Sequence, residues 1–134
     1  MTGVQTCALP ICFPVTIKAS TGDPKSVALS ANSLISNAQA THKFLGANIG
    51  ERWSLLLPTS HIAGLNILIR SIELGTEPVG VTSKADYTAI VPTQLHRAFN
   101  GDSQLLKHLK GCKAVLGCCC RNSSGYLLDQ ALRR

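Results

Sequence analysis

Aromatic residues are scarce in this chain of 134, with three Phe, two Tyr and one Trp, and that scarcity argues against a surface that stacks nucleic-acid bases. Acidic residues are also few, seven against thirteen Lys and Arg, which leaves a formal net charge of +6. Such a balance suits anionic ligands, yet the basic residues are scattered rather than massed. Only Lys107, Lys110 and Lys113 approach a stripe, and their spacing reads as a solvated helix face and its exit. No apolar run is long enough for a membrane span, because Pro58, His61 and Arg70 interrupt the stretch from Leu55 to Leu74. No secretory leader is evident. The six cysteines, Cys7, Cys12, Cys112 and Cys118 to Cys120, form no Cys-x-x-Cys pair. That spacing fits neither a zinc knuckle nor a disulfide ladder, so a reduced, cytoplasmic chain is expected.

What is present is a core: 45% of the residues are hydrophobic, enough for one domain or part of one. Ser26 to Leu29 reads as a strand, and Ser30 is placed to cap a helix from Ala31 to about Phe44, with Ala31, Leu34, Ile35 and Ala38 on its apolar face and Gly46 as its stop. Trp53 to Leu57 reads as a strand buried on both faces and ended by Pro58. Ile62, Leu65, Leu68, Ile69 and Ile72 predict a deeply covered helix that Gly75 closes, with Ile67 adding apolar surface on another side. Val79 to Val81 and Tyr87 to Val91 are further strands. Pro92 then opens a helix with Leu95 and Phe99 on one face, and Asp102 or Ser103 caps another through Leu105, Leu106 and Leu109. Ala114 to Leu116 is a last strand, and Ser123 or Ser124 starts a closing helix. Strands alternating with helices imply an α/β fold with a parallel or mixed sheet flanked by helices.

The stretch Ser20-Thr21-Gly22-Asp23-Pro24-Lys25 concentrates hydroxyls, a glycine, a proline and a lysine just before a strand. Gly22 permits close backbone approach, Pro24 stiffens the turn and Lys25 supplies positive charge, a combination suited to phosphate. No glycine stands immediately before Lys25, so the P-loop signature of ordinary NTPases is absent.

This stretch resembles the second half of the T-S-G-[ST]-T-G-x-P-K phosphate loop of the adenylate-forming enzymes, which include the acyl-CoA synthetases. Four further segments follow in the order that superfamily would place them. Leu56-Leu57-Pro58-Thr59-Ser60-His61-Ile62-Ala63-Gly64-Leu65 is similar to the L-P-x-x-H-V-A-G-L segment of o-succinylbenzoate-CoA ligases of actinobacterial type. Ile69-Arg70-Ser71 with Gly75-Thr76, and Thr88 to Leu95, resemble their V-R-S-x-x-x-G-T and T-x-L-V-P-T-Q-L segments. Ala114-Val115-Leu116-Gly117 resembles the start of V-L-x-G-G-A. The resemblance runs from about Ala19 to Arg134 and corresponds to the central part of the large, acetyl-CoA synthetase-like N-terminal domain.

The resemblance implies that Ser20, Thr21, Gly22 and Lys25 contact ATP phosphates, that His61 and Gly64 line the acyl-substrate side, and that Gly117 and Cys118 form the nucleotide and acyl pocket wall. It implies adenylation of a carboxylic acid, o-succinylbenzoate, by ATP with Mg²⁺, then transfer to CoA, in menaquinone biosynthesis. The Mg²⁺-holding motif, the ribose-binding aspartate and the catalytic lysine of the family have no counterpart in this sequence, so no metal ligand is expected within it. Residues 1–11 resemble a translated sequencing adapter. The expected organisation is therefore an artefactual leader over 1–12 and a partial AMP-binding domain over 13–134, inactive alone. Two alternatives stay open: a different acid, because Ser60 stands where the family has a further histidine, and a small basic α/β module that binds a polyanion through Lys107, Lys110 and Lys113.

Overall fold

Ser30 ends one element and starts the next. Its backbone is extended, and its hydroxyl accepts from the Ser33 amide, so one of the donors left over at the helix start is satisfied. The computed structural model describes residues 12–17, 23 and 25–117. Within them β1 (Cys12–Ile17), β2 (Lys25–Ser30) and α1 (Ala31–Leu45) are followed by β3 (Trp53–Ser54) and α2 (Ile62–Glu73). The chain continues through β4 (Tyr87–Ile90), α3 (Pro92–Phe99), α4 (Ser103–Gly111) and β5 (Ala114–Gly117). Gly46 at φ 64° and Gly75 at φ 69° end or follow α1 and α2 in the left-handed region, where a side chain would be strained. Asp102 caps α4 by accepting from the Leu105 amide at 2.9 Å.

β1 and β2 form an antiparallel hairpin in register from Cys12 opposite Ser30 to Ile17 opposite Lys25. A second sheet has the order β3-β4-β5, parallel throughout. A parallel bridge from Ser54 to Val79 lies on the other side of β3 from β4. The expected α/β layering, a parallel sheet with helices on its faces, is what the chain adopts.

Alternation along the strands divides the core in two. Trp53, Tyr87 and Ala89 face Ile67 and Leu74 of the α2 segment, whereas Ile90 and Val115 face Ala98 of α3 and Leu105 and Leu109 of α4. Trp53 and Ile67 are wholly buried, and each such side chain contributes roughly 2 kcal/mol from burial.

Five expectations change. The strand from Trp53 stops at Ser54, and Val79 to Val81 is reduced to the bridge at Val79. On α2 it is Ile67, not Ile72, that sits in the core; Ile72 is 76% exposed, because the buried line runs through Gly64, Ile67, Arg70, Ser71 and Leu74. On α1 the buried line is Leu34, Ala38 and His42, which turns Ile35 outward. On α3, Ala98 takes the inner position and Phe99 is exposed. The closing helix expected from Ser123 or Ser124 lies outside the described residues.

Candidate functional site

β3 leads into α2 on one face of the sheet, and the neighbouring β4 leads into α3 and α4 on the opposite face. Adjacent parallel strands whose connections part in this way open a crevice beyond their carboxyl ends, where α/β sheets bind ligands. Three of the five motif segments leave from that edge: the Leu56 to Leu65 segment after β3, the Val91 to Leu95 segment after β4, and Gly117 at the end of β5, opposite Ile90.

Gln94 joins the first two. Its Oε1 accepts from the Val91 amide at 3.1 Å and its Nε2 donates to the Leu56 carbonyl at 2.7 Å. Those backbone groups would otherwise seek strand partners, and their capture by one side chain accounts for both strands ending earlier than the apolar runs suggest. Sequence reading gave Gln94 no role. The signal was available, since Pro92 at the first helical position puts Gln94 at the third, where a Gln reaches back to the cap amide.

His61 is the N-cap residue of α2, yet its side chain makes no hydrogen bond to the helix's first amides. Its backbone is fixed, with its amide donating to the Pro58 carbonyl at 3.2 Å and its carbonyl accepting from Leu65 at 3.0 Å. The partly exposed imidazole stands at the head of α2, just after the segment that leaves β3, without being spent on capping. Gly64, one turn on, has a specific steric reason: a Cβ there would lie 2.2 Å from the Pro58 carbonyl oxygen and 2.9 Å from that of Leu57. Only glycine lets α2 pack this closely on the segment that leaves β3. Lys25 is exposed at the start of β2, in the separate hairpin, and Gly117 is exposed at the end of β5. Ser20, Thr21, Gly22 and Cys118 lie outside the described residues.

The opposite, amino end of the sheet is closed by charge. Glu51 accepts from the Tyr87 hydroxyl at 2.6 Å and the Asn48 amide at 2.9 Å and pairs with Lys113, which also lies 3.6 Å from Asp86. The Lys113 hydrogen bond first, then Tyr87 and Asn48, hold the Glu51 carboxyl down at about 2. Burial, then the bond to Glu51, pushes the Tyr87 phenol up, and burial raises the Cys112 thiol to about 11. Lys113 is therefore engaged, while Lys107 and Lys110 remain exposed on α4. A cleft of about 400 Å³ between Val81 to Ala85 and α4, and another of about 370 Å³ beside Arg52 and Gly75 to Val79, touch none of His61, Gln94 and Gly117. Among the described residues no group of three or more His, Cys, Asp and Glu could hold a metal. No helix there is long and apolar enough to cross a membrane.

No family model matches the chain. It is 35% identical over 92 residues, 68% of its own length, to a Mycobacterium tuberculosis protein named "Probable 2-succinylbenzoate-CoA ligase". It is 28% identical over 92 residues to the 2-succinylbenzoate-CoA ligase of Lactococcus lactis. The chain spans about a quarter of the length of the curated relatives it matches, 24% of the first and 20% of the second. Among solved structures, an acyl-CoA synthetase (AMP-forming)/AMP-acid ligase II-like protein from Dyadobacter fermentans superimposes with a TM-score of 0.67 at 26% identity, over 92% of this chain and 39% of that one. The O-succinylbenzoate coenzyme A synthetase of Bacillus subtilis in complex with AMP gives 0.62 at 19% identity, over 89% of this chain and 33% of that one.

Proposed function

We propose that this chain, which has the fold of AMP-forming acyl-CoA synthetases and is related in sequence to 2-succinylbenzoate-CoA ligases, forms the acid-binding and phosphate-binding part of such a ligase. The supporting observation is the convergence of three motif segments on the carboxyl edge of one parallel sheet, with the His61 imidazole, which makes no capping bond, at the head of α2. A carboxylate oxygen of o-succinylbenzoate attacks the α-phosphorus of ATP and pyrophosphate leaves. The CoA thiol then attacks the acyl carbon and AMP leaves.

In this reading His61 orients the acid and Gly64 sets how far α2 reaches into the crevice. Ser20, Thr21, Gly22 and Lys25 hold the phosphates, and Gly117 and Cys118 form the wall shared by nucleotide and acyl group. Among the described residues no group of three or more His, Cys, Asp and Glu could hold a metal, and in this reading ATP, Mg²⁺ and CoA belong to the full-length ligase. The domain assignment, a partial AMP-binding domain over 13–134, the cytoplasmic location and the place in menaquinone biosynthesis belong to the same proposal.

A hybrid tests it, in which the matched 92-residue stretch of this chain replaces its counterpart in the Mycobacterium tuberculosis relative. The hybrid is expected to release pyrophosphate from ATP in response to 2-succinylbenzoate. His61→Ala within it should raise KM for the acid about tenfold while leaving KM for ATP within about twofold. A hybrid that folds but ignores the acid, or a variant that loses both substrates equally, overturns the assignment.

A further inference from the structure

His42 lies in the last turn of α1 and is 7% exposed. Its Nε2 is 3.1 Å from the indole Nε1 of Trp53 on β3. An indole N-H only donates, so Nε2 must accept, and the imidazole must be neutral with its proton on Nδ1. That Nδ1 has no hydrogen-bond partner among the described residues. On α2, the Arg70 guanidinium carbon stands 5.0 Å from the centroid of the same indole, and its Nη2 donates to Asn37 Oδ1 at 3.2 Å and to Thr41 Oγ1 at 3.4 Å on α1. One indole thus gathers α1, α2 and the sheet.

We propose that His42 is a proton-operated latch, closed when the imidazole is neutral and opened by its protonation, which frees the end of α1 from β3 and from α2. Adding a proton to Nε2 turns an acceptor into a donor facing another donor, so the bond to Trp53 is lost rather than weakened. It also puts a second cation beside Arg70. The charged groups that act on His42 are Arg70 and Glu73, both from α2, while β3 presents the uncharged Trp53.

The opposing influences are Glu73 and the carboxyl end of α1, where a cation gains about 0.3–1 kcal/mol from the helix dipole. Burial outweighs them, with Arg70 second, so the imidazole protonates below the ordinary histidine range. The latch bears on α2 as well as on β3, because Arg70, which protonation sets beside a second cation, joins α2 to Asn37 and Thr41 of α1.

Trp53 is the chain's one tryptophan, and its emission reads the latch directly. With the full chain, a reversible red shift is expected as pH falls from 7.5 to 4, with its midpoint below the ordinary histidine value. His42→Gln keeps an acceptor for the indole and does not titrate, and the shift should vanish. His108→Gln removes the other histidine whose ring is held low by burial, and the shift should remain.

Proton NMR of the unmutated chain supplies a test that does not depend on any variant folding. The indole N-H resonance and the His42 ring protons should move together through one midpoint. Separate midpoints, an indole signal that does not change, or a shift that survives in His42→Gln would each overturn the latch.

Discussion

The two ends of the parallel sheet are finished in opposite ways. At the amino end, Glu51, Asp86, Tyr87 and Lys113 form a closed set of charges and hydrogen bonds that ties the start of β4 to the starts of its neighbours, with Asp86 also accepting from the Arg52 amide at 3.0 Å. At the carboxyl end the neutral side chain of Gln94 ties the segment leaving β3 to the exit of β4, and His61 stands at the head of α2 without a capping bond. The difference separates an end spent on the fold from the end that the proposed reading leaves for a ligand. Polar groups that are fully paired rigidify a region, and those left unspent are what a substrate finds.

The sharpest break of this contrast is at Gly64. Gly64→Ala should destabilise the chain by about 3 kcal/mol, because the new Cβ meets backbone rather than a side chain that could move aside. Denaturant unfolding reads this, and an unchanged midpoint would mean that α2 does not pack on Pro58 as described. Gln94→Leu should cost about 1 kcal/mol through the two backbone groups it strands. Amide exchange should quicken at Val91 in that variant and stay unchanged at Tyr87, and faster exchange at both would erase the independence of the two ends.

The amino end should respond to acid. Glu51 has its folded value depressed to about 2 from 4.5, so its contribution is complete above about pH 4.5 and is lost as pH falls toward 2. Glu51→Gln should flatten stability across that window, and a profile as steep as the original would show that other carboxyls set it. The smallest effect belongs to His61→Ala, at most about 0.5 kcal/mol, since its side chain caps nothing. A loss well beyond that, by thermal unfolding, would move His61 from the ligand's side of the comparison to the fold's.

Local chemistry made the helices legible. Ser30, Gly46, Pro92 and Asp102 announced their ends, because capping depends on a few adjacent residues. Rotation about α2 was not legible: Leu65, Leu68, Ile69 and Ile72 are as apolar as Ile67, and only packing against both sheet and α1 decides which of them is covered. Strand lengths were missed for the same reason. Nothing within Trp53 to Leu57 says that Gln94, far along the chain, will take the Leu56 carbonyl. At the site, the order of motifs brought His61 and Gly64 into view, while of the buried cluster of His42, Trp53 and Arg70 only Arg70 fell in a motif segment, and its meeting with the other two was not legible because the members come from three elements.

The parallel register of β3, β4 and β5 sets the order in which the chain can assemble. Each pair in that sheet joins residues roughly thirty positions apart, so chain entropy must be lost before any ladder bond forms. The β1 and β2 hairpin and the four described helices close over short distances and are expected to form first, leaving the sheet as the late step. Until β4 inserts between its neighbours, the strand edges that later shape the crevice stand open to other chains. Refolding yield is therefore expected to fall as protein concentration rises, before any change in equilibrium stability.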